Sequence, residues 1–198
     1  KPSSAASDVY KRQGWSGELS YELYLQDRKK GDELFEIVHE AAKEFNGAVI
    51  APNTIRTIEG GLLSYQSDFG REHNPFTIGL DRLVDLDQDI DFIGKEALKK
   101  IKSEGISEKL VGVEIDGDPI QKVPENFWPV FDENHKKIGR LSRCFFSPRL
   151  KKNIGLAIID IDFVEPGTPL VIESPKAHLN AQVHELPWFP AEKSTNLD

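Results

Sequence analysis

The second half of the chain is written almost entirely in short apolar runs separated by turn residues, a pattern that few folds can accommodate. LVGVEI is followed by DGDP, WPVF by DENHKK, IGRLSRCFF by SPRLKKN and IGLAIIDI by EPGTP; LVIES and HLNAQVHEL close the series. Such runs, rich in β-branched residues and bounded by Gly, Pro, Asn and Asp, are strands joined by tight connections. Strands at this spacing build a small barrel or a sandwich. An all-β domain is therefore expected to begin after Ser107, with EKSTNLD as a frayed tail.

The first half mixes both periodicities. In Leu19–Leu25, Leu19, Tyr21, Leu23 and Leu25 share one face while Ser20, Glu22 and Tyr24 share the other, the period of a half-buried strand. After the turn DRKKG, Asp32 is placed to cap a helix running to Phe45. Leu34, Phe35, Val38, Ala41, Ala42 and Phe45 form its apolar stripe, and Asn46-Gly47 stop it. AVIA reads as a short strand. Pro52-Asn53 then open a second helix, TIRTIEGGLLSY, whose adjacent glycines would be costly in a helix interior and so imply close packing or a ligand near the backbone. A third, amphipathic helix in DFIGKEALKKIKSEG ends at Gly105, and its basic run KEALKKIK is a solvated face. The fold class is α+β. The expected divisions are a leader over 1–13, an α+β region over 14–107, the β domain over 108–190 and a flexible tail over 191–198.

Composition narrows the function. With 198 residues, 38% hydrophobic and 29% charged, the chain is long enough for a sizeable core. A formal charge of −8 argues against nucleic acid as a partner, and no apolar run is long enough to cross a membrane as a helix. Cys144 is the only cysteine. An intrachain disulfide is thus impossible, a reducing, cytoplasmic setting is expected, and its apolar surroundings predict a buried, inert thiol. The histidines show no HxH, HxxxH or HExxH spacing, so no metal site is expected. KPSSAASDVYKRQ lacks the apolar core of a secretory signal. Its SSAASDVYKRQ portion looks like a translated sequencing-adapter remnant, so native-looking sequence starts at Gly14 and an upstream half is expected to be missing.

No phosphate loop, nucleophile elbow or catalytic triad stands out. The candidate polar groups are Glu22 and Tyr24 on the first strand, Arg56 and Glu59 on the second helix, and Asp68 after it. A carboxylate beside aromatic rings suits a flat heterocycle bearing N–H donors. Spacing alone favours a solvent-facing glutamate and a rim tyrosine over such a site.

Four segments in order resemble the tetrahydrofolate-dependent glycine-cleavage T-protein family. GWSGELSYELYL resembles its G-E-x-x-Y-E strand, and IRTIEGGLLSYQSDF its Leu-Arg-x-Glu-x-Gly-Leu-x-x-Tyr-x-x-Asp helix. DFIGKEAL is similar to its Phe-Ile-Gly-Lys/Arg-x-Ala-Leu segment, and IGRLSRCFFSPRLKKNIGLAII to its barrel signature. The resemblance covers Gly14 to Phe189. It implies the latter part of a folate-binding fold followed by a small β-barrel, tetrahydrofolate as cofactor, and a small sulfonium or amine one-carbon donor as partner. It implies that Glu22 hydrogen-bonds the pterin with Tyr24 beside it, and that Glu59 and Tyr65 pack against or line the folate. Catalytic residues are unknown and expected upstream of Gly14, so the chain alone is expected to be inactive.

Two departures bear on the donor. The family's helix arginine precedes its glutamate by two, where Thr57 stands here, with Arg56 shifted by one. The family's Glu-Ala-x-Leu-x-Trp segment corresponds to Thr77–Arg82, which lacks the Glu and the Trp. NPFTIGLDRLVDLDQDIDFIGKEAL, with GWS and LLSYQSDF before it, is more similar to the dimethylsulfoniopropionate demethylase branch, which implies methyl transfer from a sulfonium to folate. Trp15 is then a candidate for the sulfonium cation, through cation–π attraction. An aminomethyltransferase acting on a lipoyl carrier protein, or a non-catalytic folate-binding protein, are the alternatives.

Overall fold

The computed structural model describes residues 23–51 and 53–189. They divide into two compact units, one ending at Thr54 and the other beginning at Ile55.

In the first unit, helix α1 spans Gly31–Lys43 and follows a single 3-10 turn over Arg28–Lys30. Asp32 does not cap the helix: Asp27 caps the 3-10 turn, its side chain accepting from the Lys29 N–H at 3.0 Å, and Lys30, at the N-cap of α1, makes no side-chain cap bond. Winding thus begins earlier than expected, and Asp32 and Glu33 fall in the first turn, where the helix dipole favours acids. The helix ends at Lys43, two residues short of the expected Phe45, and Asn46-Gly47 close the turn that stops it. Asn46 adopts a left-handed φ of 55°, and the Gly47 N–H bonds back to the Ala42 carbonyl at 2.8 Å. Leu23–Leu25 and Ala48–Ala51, both expected in strands, take no strand conformation. Alternation marks which face of a strand would be buried but supplies no ladder to hold it. The remainder of the first expected strand, with Trp15 and Glu22, lies outside the described residues.

The second unit carries α2 (Thr54–Glu59) from its second residue onward, α3 (Lys95–Glu104) and six strands: β1 Glu108–Ile115, β2 Trp128–Phe131, β3 Lys137–Ser147, β4 Lys152–Asp160, β5 Pro169–Glu173 and β6 His178–His184. Every run read as a strand after Ser107 becomes one. They close into an antiparallel barrel in the order β1-β4-β3-β2-β5-β6, with β6 returning to pair with β1. Closure removes the free edges that a sandwich would keep. Helix α2 stops at Glu59 instead of continuing to Tyr65, because Gly61 turns the chain with φ of 62°, a left-handed conformation open to glycine. No helix among the described residues is long and apolar enough to cross a membrane.

The barrel interior is filled by Val113, Val130, Leu141, Ile159, Ile172 and their neighbours. Cys144 lies among them, and burial pushes its thiol up to about 12, so it is held as an inert neutral group. A second apolar cluster lies outside the barrel. There Ile58 of α2 packs with Leu110, Ile154, Leu156 and Ile158 on the outer faces of β1 and β4, flanked by Leu186 and Trp188. This cluster seats α2 on the barrel and thereby positions the candidate site.

Candidate functional site

The segment from Thr57 to Phe69 follows α2 around a turn and back along the outer face of β3. Its centre is Asp68, which is fully buried. A buried carboxylate needs partners for all its lone pairs, and four groups provide them. The Arg143 Nε–H donates to Oδ1 at 2.8 Å and Nη2–H to Oδ2 at 2.6 Å. The Ser142 hydroxyl adds a bond to Oδ1 at 2.8 Å, and the Ser64 N–H one to Oδ2 at 2.7 Å. The same guanidinium also donates to the Leu62 carbonyl and the Thr57 hydroxyl, each at 2.9 Å.

Glu59 is the second buried acid. The Ser147 hydroxyl of β3 donates to its Oε1 at 2.6 Å, and Ser147 in turn accepts from the Leu150 N–H. The Glu59 carbonyl accepts the Trp188 N–H at 3.0 Å, joining α2 to the chain after β6. Tyr65 is half-exposed and meets Phe69 edge-on, with ring centroids 5.8 Å apart. Arg56 is exposed on α2. Thus Glu59 and Tyr65 share the segment fastened to β3 and Arg56 stands on α2 just before it, whereas Tyr24 is an exposed residue of the other unit.

Asp68 stands out in the sequence, but its partners Ser142 and Arg143 do not. A signal was present. Two polar residues stand side by side in the middle of the apolar strand IGRLSRCFF, where strict alternation would send one of them into the core.

Two other features lie apart from this segment. A cavity of about 530 Å³ on the barrel's outer surface is lined by residues including Glu114, Asp116, Lys152 and Gln182, and by none of the candidate residues. Partial burial raises Glu114, but bonds from Lys152 at 2.6 Å and Gln182 at 3.0 Å, with His184 nearby, more than offset this and hold its carboxyl below its usual range. On α1, Glu36, His39 and Glu40 bring ligand atoms within 4.8 Å of one another. The i, i+3, i+4 spacing that places them on one helix face was not singled out in the sequence.

Comparison with known proteins places this geometry in context. Residues 5–88 match the GCVT N-terminal domain, and residues 108–190 match the glycine cleavage T-protein C-terminal barrel domain. An aminomethyltransferase of Geobacillus sp. (strain WCH70) is 37% identical over 186 residues, covering 92% of this chain and 49% of that protein. A dimethylsulfoniopropionate demethylase of Ruegeria pomeroyi is 28% identical over 182 residues, covering 91% of this chain and 48% of that protein. The chain therefore spans about half the length of the curated relatives it matches. The crystal structure of glycine cleavage system aminomethyltransferase T from Bartonella henselae superposes with a TM-score of 0.62 at 19% identity, over 69% of this chain and 38% of that one, a likeness of fold.

Proposed function

The chain belongs to the glycine cleavage T-protein family, and we propose that the whole protein is a tetrahydrofolate-dependent one-carbon transferase. The observation that carries this reading is the match to both family domains in order, at 5–88 and 108–190. In this reading Glu22 orients the pterin with Tyr24 beside it, and the α2 segment lines the folate through Tyr65 and Arg56, whereas Glu59, buried against Ser147, takes the packing role of the two expected for it. The division at Ser107 between a folate-lining region, 14–107, and a barrel, 108–190, belongs to the same proposal, as does a cytoplasmic location.

For the donor, the proposal is a sulfonium such as dimethylsulfoniopropionate. Thr57 in place of the family's helix arginine, and the altered Thr77–Arg82 segment, support it. Folate N5 attacks the sulfonium methyl in line. The carbon–sulfur bond breaks with its electron pair left on sulfur, giving a neutral thioether, and the N5 proton passes to solvent as 5-methyltetrahydrofolate forms. A sulfonium is already a good leaving group, so the protein's work is mainly alignment, which contributes about 7–11 kcal/mol in well-oriented reactions. Trp15 is the candidate to face the cation. The second reading, transfer of an aminomethyl group from a lipoyl carrier protein with release of ammonia, is favoured by the 37% identity to an aminomethyltransferase against 28% to the demethylase.

Incubating the full-length protein with tetrahydrofolate and each donor separates these readings. Formation of 5-methyltetrahydrofolate from dimethylsulfoniopropionate supports the first. Ammonia and methylenetetrahydrofolate from an aminomethylated carrier support the second. Folate binding without product from either donor indicates a non-catalytic folate-binding protein, and absence of folate binding removes the proposal.

A further inference from the structure

Strand β3 keeps regular register with β4 except between Leu141, opposite Ala157, and Arg143, opposite Leu156. Ser142 is the extra residue of a β-bulge. Its effect is visible in the burial pattern: Leu141 and Cys144, three positions apart, both enter the core. The two residues between them, Ser142 and Arg143, both reach Asp68 on the outer side. Without the bulge Arg143 would face the interior, where a guanidinium has no partners.

What Arg143 does there exceeds the neutralisation of Asp68. Two of its five N–H groups form a bidentate pair with that carboxylate, and two more reach further points of the same segment, the Thr57 hydroxyl on α2 and the Leu62 carbonyl after it. A guanidinium is planar and rigid, so these contacts fix the helix, the turn and the buried acid against one another as well as against the barrel. The residues so fixed bracket Glu59 on one side and Tyr65 on the other. A lysine could supply the charge, but as a point donor on a flexible stem it could not span the three sites.

We infer that Arg143 is a positioning residue: acting through Thr57, Leu62 and Asp68, it sets the orientation of the α2 segment that presents the exposed Tyr65 to folate, while Glu59 stays buried against Ser147. This rests on the folate reading above. Arg143 itself need not touch the ligand.

The test uses the full-length protein and measures two quantities side by side, the Kd for tetrahydrofolate by calorimetry and the Tm without ligand. Thr57→Val removes the hydroxyl that Arg143 reaches while keeping shape. Arg143→Lys keeps the charge on Asp68 but loses the fork. Ile172→Val, in the barrel core, serves as a control for destabilisation alone. The expected result is a Kd raised about five- to tenfold in Thr57→Val and at least as much in Arg143→Lys, with the control unchanged. Wild-type affinity in both variants at reduced Tm would make Arg143 a stabilising residue only and overturn the inference. Full retention of affinity in Arg143→Lys alone would reduce its role to charge and overturn it equally. A wild-type protein that binds no folate sinks the functional reading itself, an outcome visible before any variant is made.

Discussion

On the inner side of β3, Leu141 and Cys144 join a dry cluster with Val113, Val130 and Ile159. On its outer side Ser142, Arg143 and Ser147 meet two buried carboxylates, Asp68 and Glu59. Both sides are buried, yet they constrain sequence differently. An apolar interior tolerates any side chains of suitable volume, because its attraction is non-directional. A buried ionic seam tolerates only the donors and acceptors that complete it, because each unmet group retains its full desolvation penalty. The inside therefore holds the barrel together, and the outside specifies what is fastened to it and where.

Substitutions can break this contrast at either side. The largest effect is expected from Arg143→Met, which strands the Asp68 charge and should cost about 3–5 kcal/mol in chemical denaturation. Adding Asp68→Leu should restore much of that loss, since replacing both partners removes the stranded charge; a further additive loss would show that the pair is net stabilising. Inside, Leu141→Ala should cost about 2–5 kcal/mol through a cavity, and no second substitution across the core should rescue it as the paired change rescues the seam. Ser147→Ala should cost about 1–3 kcal/mol, because Glu59 loses its donor in a buried site.

Smaller effects sharpen the comparison through pH. The folded-state value of Cys144 is raised, so its contribution is fully present below the ordinary thiol value of 9.0 and is lost as pH rises toward about 12. The native thiol should resist iodoacetamide at pH 8 and react only on unfolding; rapid native labelling would contradict a closed core. Glu114 behaves in the opposite sense. Its folded value is depressed, so the stability it contributes is present above the ordinary carboxylate range and lost as pH falls through the folded value. Its partner Lys152 is 53% exposed, and Lys152→Ala should cost only about 0.2–1 kcal/mol, less at high salt.

Much of the barrel was legible because its signals are local. Each strand run after Ser107 carries its own alternation and its own turn, and each formed. The helix Lys95–Glu104, its end at Gly105 and the burial of Cys144 followed from the same kind of reasoning. The same signals failed where burial depends on a neighbour. Leu23–Leu25 and Ala48–Ala51 alternate or are apolar without forming strands, and the amphipathic α1 buries none of its residues, leaving Phe35 50% exposed. Of the candidate site, Glu59, Tyr65 and Asp68 were marked by the helix motif, but Ser142, Arg143 and Ser147 were not. Nothing within a few residues of Arg143 says which acid it will meet.

The sequence by itself determined where strands and turns form after Ser107, that the fold is α+β, and that the chain resembles a folate-dependent family, because periodicity, turn chemistry and motif order are properties of neighbouring residues. Only the tertiary structure decided that the sheet closes into a barrel, that α2 stops at Glu59, and that a bulge in β3 turns Arg143 outward onto Asp68. Those two residues are separated by 75 positions in the chain. A buried charge is tolerated only once its partner has been brought to it, so the identity of that partner is a property of the fold and not of the residues beside it.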